Sequence, residues 1–296
     1  VECYSAEDVR NHIKTADVVL LDNGYRHVPF WDEITFINKS PAFTSRFYVD
    51  LWHTRENGAP RDWNEDSIKF DVRITACKEL QKKFKPEWAK VFWSPHCIDV
   101  QGYCPPRDID VLFWGACSPQ YAFRQFIRQA LRERVVKKIV KVDSFFTIRE
   151  VAIRGNSYRY GLVDFVPNPV NWKPSREQAV YGYYGPRLFR LLSRVKVCCT
   201  SPVHRAPIGK FFENAACGSV TLTTDFTDRK ELGFEHGKHL WITGEHSFVD
   251  DLAHLLEHPD LVEEMSKNAK ELIRTRHTPA IRAQELYEFL RREVGG

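Results

Sequence analysis

Short apolar runs, several of them β-branched and apolar at successive positions, return along the whole chain with segments of helical period between them. The candidate strands are 16–22, 46–51, 70–75, 89–93, 110–114, 138–142, 195–199, 219–224 and 239–242. A strand that lacks polar alternation must be covered on both faces, which is what the helices of a parallel sheet do. The pattern therefore predicts an α/β fold with two parallel sheets, and 296 residues suit two domains of ordinary size. Tyr103-Cys104-Pro105-Pro106-Arg107 divides them, because its prolines can neither continue a helix nor sit in a central strand. The expected domains are 1–106 and 107–278, followed by a helix over 279–296.

The end of the chain reads as three helices. Ser247 is a candidate cap for a helix carrying Phe248, Leu252, Leu255 and Leu256, and a second helix follows Pro259 through Ile273. Thr278-Pro279 then has the cap-and-proline pattern of a helix start, with Ile281, Leu286, Phe289 and Leu290 as its apolar stripe. Hydrophobic residues are 43% and charged residues 28% of the chain, which excludes a disordered or collagen-like protein. No apolar run reaches the length of a membrane span and no secretory leader is recognisable, so a soluble cytoplasmic protein is expected. Among eight cysteines there is no Cys-x-x-Cys pair, and the adjacent Cys198 and Cys199 in an apolar run suit reduced, buried thiols better than staples or zinc ligands.

The most informative stretch runs from Thr200 to Gly218. A strand ending at Cys199 leads into a Pro- and Gly-containing loop, then a short helix over 210–217 that Gly218 stops at its C′ position. In open parallel sheets ligands bind beyond the carboxyl ends of the strands, where a helix N-terminus offers free N–H groups and positive potential. Gly209 and Lys210 stand at that helix start, placed for an anion such as a diphosphate. Glu213 lies one turn further on, where a carboxylate accepts hydrogen bonds from sugar hydroxyls. A solvated Lys/Glu pair on a surface helix is the plainer reading of the same spacing.

These residues carry a resemblance. Lys210-Phe-Phe-Glu-Asn-Ala-Ala-Cys-Gly-Ser-Val-Thr-Leu-Thr-Thr-Asp225, the Leu232–Leu240 segment and Ile273-Arg-Thr-Arg-His-Thr278 resemble the C-terminal domain of group 1 glycosyltransferases of the GT-B fold, in the compact branch that includes spore-maturation-type proteins. The likeness covers roughly 110–290, and Phe70–Thr75 and Trp93–Asp99 suit the N-terminal half of that family. The resemblance implies two Rossmann-like domains facing a cleft, nucleotide-sugar on the second, acceptor on the first, and a last helix crossing back to the first. It makes Glu213 the contact to the donor's ribose and Arg124, after the strand ending at Trp114-Gly115, the cation for the diphosphate. It implies a nucleoside-diphosphate sugar, UDP-sugar foremost, as donor, with retention of configuration; no obligatory metal is expected. The family often carries a second glutamate eight residues before the first, but Arg205 stands there and is a candidate for the phosphates instead. The first domain, at about 105 residues, is short for the family.

Acceptor-side candidates follow the N-terminal strands: Asp50 and His53 after one, His96 and Asp99 after another, with Asp22 at the end of the first. A histidine or aspartate there would take the acceptor hydroxyl's proton, and Asp50, His53 and His96 are the catalytic candidates. Asp108-Ile-Asp110 spells the Asp-x-Asp with which another glycosyltransferase fold holds a metal, but it precedes a strand and reads as a domain-boundary turn. From Arg124 to Lys141 there are seven basic residues against one acid. Arg124, Arg128 and Arg132 share one helical face, opposite Phe123, Phe126, Ile127 and Leu131. That run is either a solvated face or a polyanion surface, with the aromatic segments around Trp52, Trp63 and Trp93 available to stack bases.

The leading expectation is a glycosyltransferase acting on a hydroxyl of a glycan, a wall or spore polymer, or a hydroxymethylated DNA base. A non-catalytic nucleotide-binding or assembly protein on the same frame is the alternative, favoured by Arg205. A periplasmic-type ligand binder is disfavoured by the Lys210/Glu213 helix.

Overall fold

The computed structural model describes residues 6–22, 36–39, 41–48, 70–84, 90–115, 117, 121–141, 146–163 and 185–294. The chain divides into two compact units, Val1–Pro95 with Ala280–Gly296, and His96–Pro279. The Pro-rich stretch at Tyr103–Arg107 belongs to the second unit. Gln101 N–H donates to the Ala216 carbonyl there, and Ile98 N–H to that of His277.

In the first unit, helix α1 (Ala6–His12) precedes four parallel strands, β1 (Val18–Asp22), β2 (Phe43–Tyr48), β3 (Val72–Thr75) and β4 (Val91–Trp93), ordered β1-β2-β3-β4. Helix α2 (Lys78–Phe84) joins the last two. Val72, Ile74, Ala76 and Leu80 are among the buried apolar residues of this unit. β2 begins three residues earlier than the 46–51 expected, and Asp50 and His53 come after its last described residue. Both lie outside the described residues, as do Trp52 and Trp63. The last helix, α8 (Pro279–Val294), packs in this unit: Phe289 stacks on Phe92 with centroids 4.6 Å apart, and Glu293 pairs with Lys90.

The second unit holds a seven-stranded sheet ordered β11-β10-β9-β5-β8-β7-β6. Its strands are β5 (Ile109–Trp114), β6 (Val135–Lys141), β7 (Phe146–Ile153), β8 (Asn156–Val163), β9 (Val195–Cys199), β10 (Val220–Thr223) and β11 (Leu240–Ile242). Its helices are α3 (Ala122–Glu133), α4 (Gly185–Leu192), α5 (Gly209–Cys217), α6 (Phe248–Glu257) and α7 (Pro259–Arg276). Residues alternate between two buried layers. Val111, Phe113, Val197 and Cys199 pack with Ile127 and Leu131 of α3 and Phe248 and Leu252 of α6. Leu112, Trp114, Val195 and Cys198 pack with Leu188, Leu191 and Cys217 of α4 and α5. This double burial is why the parallel strands read as unbroken apolar runs.

The sheet is mixed, which corrects the all-parallel expectation: β6 pairs antiparallel with β7, and β7 with β8. β7 and β8 have no counterpart among the expected strands. They are joined at Arg154-Gly155, whose φ values of 48° and 82° are both positive, as in a type I′ hairpin turn. The strand expected at 138–142 is β6, the sheet's edge, where Lys137 is exposed. Lysine on an edge discourages pairing with another chain. Ser247 precedes α6 as expected but does not cap it; its hydroxyl accepts from Gly244 N–H instead.

Candidate functional site

β5 is the first strand of the second sheet. The chain leaves it toward β6–β8 on one side and returns to β9–β11 on the other, so the order reverses between β5 and β9. Beyond the carboxyl ends of two such strands the loops part and leave a crevice, the usual ligand position in open α/β sheets. Gly115 follows β5 there, and Thr200 and Ser201 follow β9.

Two cations converge on Gly115. Its φ of +121° is open only to glycine, and a Cβ on it would lie 2.8 Å from Lys210 Cε and 3.5 Å from Arg124 Nη1. Lys210 comes from the second position of α5, and its Nζ sits 3.9 Å above the centre of the Trp114 ring. Arg124, from the first turn of α3, is buried; its Nε donates to the Ser201 carbonyl at 2.6 Å and its guanidinium lies 4.1 Å over the Tyr121 ring. Arg124 therefore leaves the solvent stripe expected of it. Arg128 and Arg132 remain exposed on α3, so two of the three arginines expected on one face keep to solvent, and Lys138 and Lys141 lie on β6, where a strand was expected.

The N-terminus of α5 enters the same place. Ile208 precedes it in an extended conformation and no side chain caps it, which leaves its first N–H groups and positive end directed at the crevice. Phe211, Phe212, Ala215, Ala216 and Cys217 bury the helix, and Gly218 ends it with φ 81°. Glu213 lies one turn on from Gly209, its carboxyl pushed above its ordinary range by burial and pulled back by Lys210. Burial pushes the Lys210 ammonium down to about 8, against the attraction of Glu213 and with the repulsion of Arg124. Burial lowers Arg124 too, but a guanidinium stays charged at any physiological pH. The arrangement is a positive, partly desolvated corner with a carboxylate beside it, suited to a phosphate group joined to a polar, hydroxyl-bearing body.

His96 is brought to this corner: its Nδ1 would be 3.9 Å from a Cβ on Gly209, and its ring packs 5.7 Å from that of Phe212. Arg205 and Asp99 of the same unit have no contact with this corner among the described hydrogen bonds and ion pairs. Arg205 is exposed in the β9–α5 loop at φ 61° and faces Asp225 at 3.5 Å. Asp99 is exposed, and Asp22 ends β1 in the first unit. Asp108 and Asp110 serve structure at the opposite end of β5. Asp108 receives Arg194 through two bonds of 2.8 and 2.6 Å as well as Arg159, and Asp110, which is in the strand and not in a turn, pairs with Lys196 at 2.7 Å. That same end holds a cavity of about 560 Å³ lined by Arg107, Lys196 and Lys270. Arg107 and Lys270 close there over Gly218, where they complement the carbonyl end of α5. Chemistry is better served at the other end, where helix N-termini point. Among the described residues no cluster of three or more His, Cys, Asp or Glu is arranged for a metal, and no helix is long and apolar enough to cross a membrane.

Residues 124–288, more than half of the chain, match the glycosyl transferase-like family. The chain belongs to that family. Among solved structures it is similar to Anabaena HepE in complex with UDP-glucose, with a TM-score of 0.64 and 12% identity over 96% of this chain and 81% of that one. It is also similar to sucrose-phosphate synthase from Thermosynechococcus elongatus, with a TM-score of 0.57 and 12% identity over 98% and 77%. A third is a point mutant of S. aureus TarM in complex with fondaparinux, alpha-GlcNAc-glycerol and UDP, at 0.62 and 10% over 96% and 58%. At such identities the likeness is one of fold, and the fold is GT-B. A search of curated protein sequences finds no match. The resemblance read from the sequence thus holds at the level of family and fold; the spore-maturation-type branch is not part of either finding.

Trp114, Gly115, Tyr121 and Ser201 were not singled out from the sequence as site residues. The signal available was a glycine directly after the first strand of the second domain, the position where a ligand approaches the backbone most closely.

Proposed function

We propose that the protein is a glycosyltransferase that takes a nucleoside-diphosphate sugar, UDP-sugar foremost, at the Gly115 corner and moves the sugar to an acceptor hydroxyl. The observation that carries this reading is the convergence of Arg124, Lys210 and the uncapped α5 N-terminus on Gly115. When the sugar leaves, negative charge grows on the diphosphate. Fixed cations and N–H dipoles already aimed at it stabilise that charge without reorganising. UDP and UDP-sugar in the complexes of structural neighbours support the choice of nucleotide. Glu213 is assigned to the ribose hydroxyls. With two cations supplied by the chain itself, the proposed transfer needs no divalent ion, and retention of configuration follows the family resemblance. In that reading the leaving phosphate takes the acceptor's proton, and among the described residues His96, beside the α5 N-terminus, is a side chain placed to assist it.

The acceptor is proposed as a glycan or wall polymer. A hydroxymethylated DNA base drew on a compact first domain and on the Arg124, Arg128 and Arg132 face, and that face loses Arg124 to the interior. The test is release of UDP from UDP-glucose, UDP-galactose and UDP-N-acetylglucosamine, with and without glycan acceptors, by the wild type and by Glu213→Ala. Release that Glu213→Ala abolishes supports the enzyme. UDP binding without release from any sugar would favour the non-catalytic reading that Arg205 prompted.

A further inference from the structure

The lysine stem carries four rotatable bonds, and an ammonium left to sample them is poorly placed for any ligand. Here the stem runs between two surfaces. On one side is the bare Cα of Gly115, where even a methyl would lie 2.8 Å from Lys210 Cε; on the other is the face of Trp114, 3.9 Å below Nζ. The ring is itself fixed. Trp114 is 2% exposed, its Nε1–H donates to Asn214 Oδ1 at 3.2 Å, and Asn214 Nδ2 donates to Thr221 Oγ1 at 3.1 Å. Asn214 is fully buried on α5, one turn along from Lys210, and Thr221 is on β10. One amide thus ties the end of β5 to β10 and sets the plane of the indole. A tryptophan face attracts a cation through its quadrupole, most strongly when both are desolvated.

We propose that Trp114, held by Asn214 and Thr221, is a positioning residue that aims Lys210 at the donor's diphosphate and thereby sets donor affinity. This rests on the reading that the diphosphate binds at the Gly115 corner. Trp114 does not touch the nucleotide in this account; it acts through the ammonium. Its removal therefore matters only while the lysine is present, and a ring that keeps the face but loses the N–H keeps part of the effect.

The experiment is calorimetric titration of UDP into the wild type, Trp114→Leu, Trp114→Phe, Lys210→Met and the two double variants combining each Trp114 substitution with Lys210→Met. Trp114→Leu is expected to weaken UDP about tenfold, the scale of a desolvated cation–π contact, and Trp114→Phe about threefold. In the Lys210→Met background neither substitution should weaken UDP further, because residues acting as one unit are non-additive. A merely structural role gives additive losses instead, and additivity overturns the proposal, as does a Trp114→Leu variant that binds like the wild type. If Trp114→Leu does not fold, the Trp114→Phe cycle decides by the same criterion. No UDP binding by the wild type would reject the donor site itself, a result distinct from binding that is indifferent to Trp114.

Discussion

Replacing Lys210 by methionine should make the ligand-free protein more stable while removing its response to UDP. Holding the ammonium with its pKa near 8 in place of 10.5 costs the folded state about 3 kcal/mol at neutral pH. Lys210→Met deletes that cost, and methionine's unbranched thioether fits beside the Trp114 ring. The same change strips Glu213 of its counter-ion, which returns part of the gain, so about 2 kcal/mol should remain, or about 4–8 °C in the midpoint for a unit of this size. The pH dependence identifies the cause. Below pH 8 both folded and unfolded chains hold the lysine charged, and the penalty is fully present. Between about 8 and 10.5 the folded protein releases the proton while the unfolded chain keeps it, so the wild type gains stability relative to Lys210→Met as pH rises. Thermal unfolding of both proteins at pH 7 and pH 9.5, with and without UDP, measures every part of this. A wild type more stable than Lys210→Met at pH 7, or a difference that does not move with pH, would refute the reasoning.

Gly115→Ala should strain a φ of +121° and drive a methyl into the lysine stem, costing about 1–3 kcal/mol in denaturant unfolding and at least tenfold in UDP affinity. Asp108→Ala frees Arg194 and Arg159 at the far end of β5; about 1–2 kcal/mol of stability should be lost while UDP affinity, measured by calorimetry, is unchanged. Thiol labelling of the native protein followed by peptide mapping should modify the exposed Cys97 and Cys104 first and spare Cys77, Cys198, Cys199 and Cys217 until unfolding. Burial both shields the last three and pushes their thiols upward, Cys217 to about 12.

The helix-covered strands were legible because double burial writes itself as unbroken apolar sequence: Val195–Cys199 and the Ser219–Thr224 segment lie where the pattern puts them. The hairpin of β7 and β8 was not, since Thr147, Arg149 and Glu150 interrupt the apolar pattern and Arg154-Gly155 is a weak turn signal beside Asn-Gly. Cys198 and Cys199 are buried, as their apolar run implies, whereas Cys97 and Cys104 lie exposed in an irregular segment that has no period to read. At the site, Gly209, Lys210 and Glu213 were readable from one helix start. Arg124 was assigned to the phosphates by resemblance and to a solvent stripe by periodicity, and the two conflict. Helical spacing says which residues share a face, but not that the first of them, in the opening turn, bends over the helix end toward the Ser201 carbonyl. Trp114 was hidden because a tryptophan in an apolar strand reads as core, which it also is.

The central claim is that Arg124, Lys210 and the α5 N-terminus form one diphosphate site around Gly115. Titration of UDP into the wild type, Lys210→Met and Gly115→Ala tests it most directly. The account predicts saturable one-site binding by the wild type, weakened at least tenfold in each variant. Equal binding by all three would place the nucleotide elsewhere and contradict it.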